Sequence, residues 1–256
     1  MVSPKYAACL LIIGNEVLSG RTRDANLQYL GQRLNQRGIR LAEARVIPDD
    51  AEVIVAALNE CRVRFDHVFT TGGIGPTHDD ITAACVARAF GVALERNAEA
   101  RRMLRRNYKS DAELTEARLK MTEIPAGASL IENPVSHAPG FRMENVFVFA
   151  GIPRIMQAMF EVIVDTLKGG APVLSKAVTA RLPEGILGGP LADVQKRFPD
   201  VEIGSYPFNR DGIHGASLVA RGTEPARLEE AAAAIRQMVR DLGSEPIDGD
   251  LGVPPA

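Results

Sequence analysis

Residues 70–82 read "TTGGIGPTHDDIT": three glycines, a proline and two adjacent aspartates follow the apolar start of "HVFTTGG" (67–73). An apolar run ending in glycines and leading into a helical pattern is the strand-to-helix turn of a parallel α/β sheet, where ligands gather beyond the strands' carboxyl ends. Glycines there let backbone N–H groups approach a phosphate, and a helix start adds more donors. Asp79 and Asp80 oppose that use, each by about 1–4 kcal/mol at about 4 Å from an anion. Either the acids only complement a helix dipole, or something positive joins the ligand. The lysine of a Walker A loop and the spacing of a GxGxxG fingerprint are both missing.

Outward from this loop the alternation repeats. The apolar stretch 7–13 predicts a central parallel strand, and a second glycine-acid loop, "GNEVLSG" (14–20), follows it. From Asp24, "DANLQYLGQRLNQRG" sets Leu27, Leu30 and Leu34 at helical spacing, and Gly38 stops that helix before the strand "IRLAEARVI". Asp50, in Pro48-Asp49-Asp50, caps the helix at 51–64, and a further helix is expected from about Asp79 to Phe90. Residues 95–123 read as two helices broken near Ser110-Asp111, and "ENVFVFAG" as a strand feeding a helix that begins near 155. The expected architecture is a three-layer α/β fold, a mostly parallel sheet with helices on both faces, over residues 1–170. Glycine and proline in "KGGAPVL" (168–174) mark a boundary. Residues 171–256 then read as a small α+β module of order β-α-β-β-α, with a frayed tail after Gly243.

Composition excludes several classes. Of 256 residues, 46% are hydrophobic and 24% charged, with a formal net charge of −2, so no global field favours nucleic acid or an anionic membrane. No apolar run approaches the roughly 18 residues a membrane helix needs. Cys9, Cys61 and Cys85 lack CxxC spacing and fall on apolar positions, which suits core packing in a reducing, cytoplasmic protein. The basic run Arg101, Arg102, Arg105, Arg106 and Lys109 is flanked by Glu95, Glu99, Asp111 and Glu113 and reads as a solvated helix face.

"GNEVLSGRTRDAN", "TTGGIGPTHDDIT", "ENPVSHAPGF" and "GIPRIM", in that order, resemble the signature segments of the molybdopterin-binding-like domain of CinA (competence/damage-inducible protein A) proteins. MogA- and MoeA-type molybdenum cofactor proteins and the N-terminal part of FAD synthases carry the same domain type. The resemblance spans about residues 6–167, and the later module is similar to the small KH-like domain of CinA proteins. It implies that Gly72, Gly73, Gly75 and Thr77 hold ligand phosphate, that Glu16, Asp24 and Asn26 belong to the first-loop signature, and that Asp80 is functionally central. The chain ends before the nicotinamide mononucleotide deamidase domain of full-length CinA proteins, so that activity is expected to be absent.

A divalent cation resolves the conflict in the loop. Hard oxygen ligands such as Glu16, Asp79 and Asp80 suit magnesium, manganese or cobalt bridging to substrate phosphates. The expected function is metal-dependent hydrolysis of a pyrophosphate-linked nucleotide, of the ADP-ribose or FAD class that the resemblance implies, with Asp80 and Asp79 catalytic. The alternative is a molybdopterin or nucleotide binding protein without hydrolase activity. A small-molecule ligand, no nucleic-acid or membrane partner, and a homo-oligomer, a dimer by resemblance, complete the expectation. His78 reads as a surface or capping residue. His137 is placed near the crevice by resemblance, through its backbone or its ring. In "GILGG" (185–189), Ile186 and Leu187 suit packing better than a phosphate clamp.

Overall fold

The computed structural model describes residues 5–210 and 212–250, and divides into two compact units, residues 5–170 and the chain from 171 onward. In chain order the first unit holds β1 (Tyr6–Ile13), α1 (Asn15–Leu18), α2 (Asn26–Gln36), β2 (Ile39–Ile47), α3 (Ala51–Arg64), β3 (His67–Thr71) and α4 (Thr82–Phe90). It continues with β4 (Leu94–Arg96), α5 (Ala98–Arg105), α6 (Glu116–Leu119), β5 (Glu123–Pro125), β6 (Ser129–Ile131), β7 (Gly140–Met143), β8 (Val146–Phe149) and α7 (Pro153–Ile163).

The main sheet has the order β2-β1-β3-β8-β7-β6. Its first four strands are parallel, and β7 is antiparallel to both neighbours. Why the central strands read as unbroken apolar runs is visible in their side-chain alternation. Cys9, Leu11 and Ile13 of β1 enter a core with Ile54 and Leu58 of α3 and Val86 of α4. Ala8, Leu10 and Ile12 enter the opposite core with Leu30 and Leu34 of α2 and Phe160 of α7. A period of two with both faces covered demands apolar residues at every position, and that produces the three layers. β3 and β8 repeat the split: Val68, Val146 and Val148 face one core, Phe69, Phe147 and Phe149 the other.

Several expectations need correction. Leu27 is exposed, and Leu30 and Leu34, with the half-buried Tyr29, anchor α2 on the core. The helix expected from Asp79 starts at Thr82, because Thr82 is tied back to the glycine loop before the helix can begin. Residues 95–123 hold α5 and α6 between β4 and β5, which pair with each other antiparallel. The strands β6 and β7 escaped sequence reading because each has only three or four residues, too short for a periodicity to show. The mostly parallel character survives, with an antiparallel edge.

The second unit runs β9 (Leu174–Ala180), α8 (Glu184–Arg197), β10 (Glu202–Arg210), β11 (Ile213–Gly222), α9 (Pro225–Asp241) and β12 (Ile247–Asp248). It forms an antiparallel sheet of order β10-β11-β9-β12. The α+β pattern stands, but the tail after Gly243 is not frayed throughout: Ile247 and Asp248 pair with Thr179 and Val178. Its last residues, 251–256, lie outside the described ones. "GILGG" lies within α8, with Leu187 buried in the core and Ile186 exposed, so only one of the two packs. No helix among the described residues is long and apolar enough to cross a membrane.

Arg227 of α9 donates to both Asp200 oxygens at 2.8 Å. Those hydrogen bonds lead in lowering the Asp200 carboxyl from 3.8 to about 2. A carboxyl lowered on folding stabilises fully above its unfolded value, and that contribution is lost as pH falls through 3.8 toward 2. Asp200→Asn is therefore expected to flatten the acid limb of the melting temperature, measured calorimetrically from about pH 5 downward. An unchanged acid limb would show the pair to be silent.

Candidate functional site

The carboxyl ends of β1, β3, β6 and β8 meet at one edge of the sheet, and the loops that follow them enclose a cavity of about 600 Å³. Glu16 and Thr22 come from the first loop, Gly72–Pro76 and Asp80 from the second, Asn133 and Ser136 from the third, Gly151–Pro153 from the fourth. The segment containing α5 and α6 closes the remaining side with Leu104, Asn107, Tyr108 and Met121.

The glycine loop is built by mutual support. Gly72 and Gly73 have φ of +102° and +68°, a region costly for residues with a Cβ. Thr82, fully buried at the start of α4, donates its hydroxyl to Gly72 O at 3.0 Å and its amide to Gly73 O at 2.9 Å. A Cβ on Gly72 would lie 2.1 Å from Ile13 O, and one on Gly73 would lie 2.2 Å from Thr82 Oγ1. The first obstacle at Gly73 is thus the protein's own threonine, so valine there is expected to harm folding as well as any ligand contact. The amides of Gly73, Ile74 and Gly75 donate to no backbone carbonyl among the described residues, and all three residues line the cavity.

The acids are arranged around Thr77. Asp80 Oδ2 accepts from Thr77 N at 2.8 Å and from Thr77 Oγ1 at 2.5 Å, while Asp79 Oδ1 stands 2.5 Å from the same hydroxyl. That hydroxyl has one proton to share between two carboxylates. Its hydrogen bond is the leading cause holding the exposed Asp79 carboxyl below its usual range, followed by Asp79's own amide. Lys120 Nζ donates to Thr77 O and brings a positive charge to the loop.

Of the residues expected at the site, Glu16, Gly72, Gly73, Gly75 and Asp80 line the cavity. Asp79 and Thr77 stand outside it: Thr77 holds Asp80 through its amide and hydroxyl, and Asp79 competes for the same hydroxyl. Asn26, buried, donates Nδ2 to Gly151 O at 2.8 Å and ties the first loop to the fourth. Asp24 accepts from Leu27 N at 2.9 Å, a helix cap. Neither His78 nor His137 lines the cavity, but Ser136 beside His137 does. Buried Asn133 shapes that loop: its Oδ1 accepts from Val135 N and Ser136 N, and its Nδ2 donates to Ser136 Oγ and Ala138 O. The arginine run is neutralised, with Arg101 and Arg105 on Asp111, Arg102 on Glu99 and Arg106 on Glu132.

Tyr108 and Lys120 were missed because nothing in their neighbourhoods distinguishes them from packing and surface residues, and Asn133, although inside the segment "ENPVSHAPGF", was not singled out within it. An Asn two residues before Val135 in a proline-rich turn was the one available signal.

The fit to a divalent cation follows from the donor set. Glu16 and Asp80 present hard oxygens to one cavity, but the oxygens of Glu16, Asp79 and Asp80 do not all come within 4.8 Å of one another. They suit an ion that retains waters or ligand oxygens, as magnesium and manganese do, rather than a closed protein cage. Among the described residues, the cluster that does meet that distance is Cys9, Glu43 and Cys61. There both sulfurs are fully buried 3.4 Å apart, and Glu43 is already paired with Arg45 and Arg64.

Gly75 permits the carboxylate's placement, since a Cβ there would stand 2.7 Å from Asp80 Oδ2. Gly75→Ala is therefore expected to displace Asp80 and lower turnover on the order of tenfold to a hundredfold, with little change in melting temperature. Normal kinetics in that variant would show that Asp80 shifts at no cost.

Residues 9–169 match the family model described as "Probable molybdopterin binding domain", and residues 172–245 match "FAD synthase, middle domain". A protein of Pyrobaculum arsenaticum is 38% identical over 252 residues, covering 93% of this chain and 94% of its own. A CinA-like protein of Citrifermentans bemidjiense is 35% identical over 238 residues, which is 89% of this chain and 57% of that protein. The crystal structure of CinA from Thermoplasma acidophilum, described as of unknown function, is 33% identical with a TM-score of 0.58, covering 62% of this chain and 98% of that one.

Proposed function

The chain belongs to the molybdopterin-binding-domain family and to its CinA-like members, and from that premise we propose that it hydrolyses a pyrophosphate-linked nucleotide, of the ADP-ribose or FAD class, with a divalent cation. The observation that carries the reading is the polarity of the cavity. Its wall combines a polar part, the glycine loop 73–75 with Glu16 and Asp80, and an apolar part that includes Leu104, Tyr108 and Met121. A nucleotide with a charged diphosphate and a flat ring has the same two halves. The match of residues 172–245 to a FAD synthase domain supports the flavin member of the class.

On this reading the amides of Gly73, Ile74 and Gly75 bind phosphate oxygens, and Lys120 offsets part of the remaining negative charge. Glu16 and Asp80 hold the cation, which supplies Lewis acidity toward the phosphoanhydride. Thr77 keeps the Asp80 carboxylate oriented through its amide, so that it meets the ligand without a reorganisation cost. Asn133 positions Ser136 at the far lip of the cavity.

The test is to incubate the purified protein with ADP-ribose or FAD and magnesium, manganese or cobalt, and to follow release of AMP. Turnover is expected with metal and is expected to vanish with chelator. Undiminished turnover after exhaustive metal removal would exclude the cation's role. Saturable pterin binding with no turnover on either nucleotide would instead establish the non-hydrolytic binding protein.

A further inference from the structure

Tyr108 is the one aromatic side chain on the cavity wall among the described residues, in a chain that has no tryptophan and only 5% aromatics. It shares that wall with the apolar side chains of Leu104 and Met121. Its position is held from two directions. The Arg118 guanidinium lies 4.4 Å from the ring centroid, and Arg105 donates to the Tyr108 carbonyl. Arg118 is itself anchored on Glu113 O at 2.6 Å and is not part of the cavity wall, so it backs the ring and leaves the cavity side open. Asn107, adjacent in the chain, brings an amide with both donor and acceptor capacity to the same wall.

A half-buried ring, fixed from behind by a cation and facing a mostly apolar space, is a stacking surface for another planar π-system. The Arg118 contact offsets the cost of leaving the ring partly exposed and restrains its rotation before any ligand arrives. We propose that Tyr108, backed by Arg118, is the platform on which the ligand's planar heterocycle stacks, and that Asn107 hydrogen-bonds the edge of that ring. The pair makes the site selective for ring-bearing nucleotides over simple phosphate esters. This inference rests on the nucleotide reading above, and adds which residues discriminate.

The experiment mixes the full chain and magnesium rapidly with FAD at increasing concentrations and reads flavin fluorescence before product accumulates, since a stacked tyrosine quenches it. Inorganic pyrophosphate serves as the competitor that lacks a ring. Tyr108→Phe keeps the ring and is expected to bind FAD within about twofold of the unmutated chain, while Tyr108→Leu weakens FAD on the order of tenfold to a hundredfold and loses the quenching. Pyrophosphate competition stays unchanged in both variants, because its contacts are assigned to the glycine loop, Glu16 and Asp80 and not to Tyr108. Circular dichroism confirms that each variant folds, and Arg118→Met provides a second variant that leaves Tyr108 in place but releases it. FAD binding that is equally tight and equally quenched in Tyr108→Leu would overturn the platform, as would an equal loss of FAD and pyrophosphate affinity. Quenched binding with no product released would remove hydrolysis and leave the platform standing. Release of AMP from FAD by Tyr108→Leu at an unchanged KM would do the reverse.

Discussion

Asp80→Asn is expected to lower nucleotide turnover on the order of 100-fold or more, and to move the melting temperature by no more than a few degrees. A helix-dipole role for this residue is already weak by position, because α4 starts at Thr82 and Asp80 precedes its first turn. Even within a first turn an exposed acid contributes only about 0.3–1 kcal/mol. The local fold needs an acceptor for Thr77 N and a partner for the Thr77 hydroxyl, and the Oδ1 of asparagine can provide both. What asparagine lacks is the charge facing the cavity, and that charge is what a cation or a developing phosphate charge would meet. Kinetics and calorimetry on the same preparation separate the two roles. Full turnover in Asp80→Asn would reduce the residue to a loop staple, and would leave the carboxylate account of the site without its central group.

The second large effect is on folding. Gly72→Val is expected to cost about 3 kcal/mol or more, and to leave little folded protein at physiological temperature. Its backbone φ of +102° is disfavoured for any residue with a Cβ, and the added atom would sit 2.1 Å from the Ile13 carbonyl oxygen. That oxygen is backbone at the end of the central strand, so it cannot swing aside as a flexible side chain would. Relief requires β1 and β3 to separate where they are paired through Ile12 and Thr71. The result matters because Gly72 also lines the cavity, and sequence inspection alone assigns it to phosphate binding. Chemical denaturation reads the outcome directly: a stable Gly72→Val that merely fails to bind ligand would restore the purely functional account of this glycine.

Much of this molecule was decided by local sequence. Unbroken apolar runs such as 7–13 admit only a strand covered on both faces, and Leu30 with Leu34 gives a helix one buried stripe. Parallel strands joined by helices then force their following loops to one edge, and so Glu16 and Asp80, 64 residues apart, could be expected at one site before any coordinates. Family motifs sharpened that expectation at the same residues. What only the tertiary structure decided is the division of labour inside the motif: Gly72 and Gly73 admit Ile13 O and Thr82 Oγ1, Thr77 orients Asp80, and Asn26 fastens one loop to another. The physical reason is that these roles depend on contacts at about 3 Å, several of them between residues far apart in the chain, as from Asn26 to Gly151. A glycine that makes room for a phosphate and a glycine that makes room for a carbonyl look the same in sequence. Tyr108 illustrates the same limit, since a lone tyrosine at the end of a charged helix has no periodicity or spacing to mark it, and acquires a role only when Arg118 is folded onto one side of its ring and the cavity onto the other.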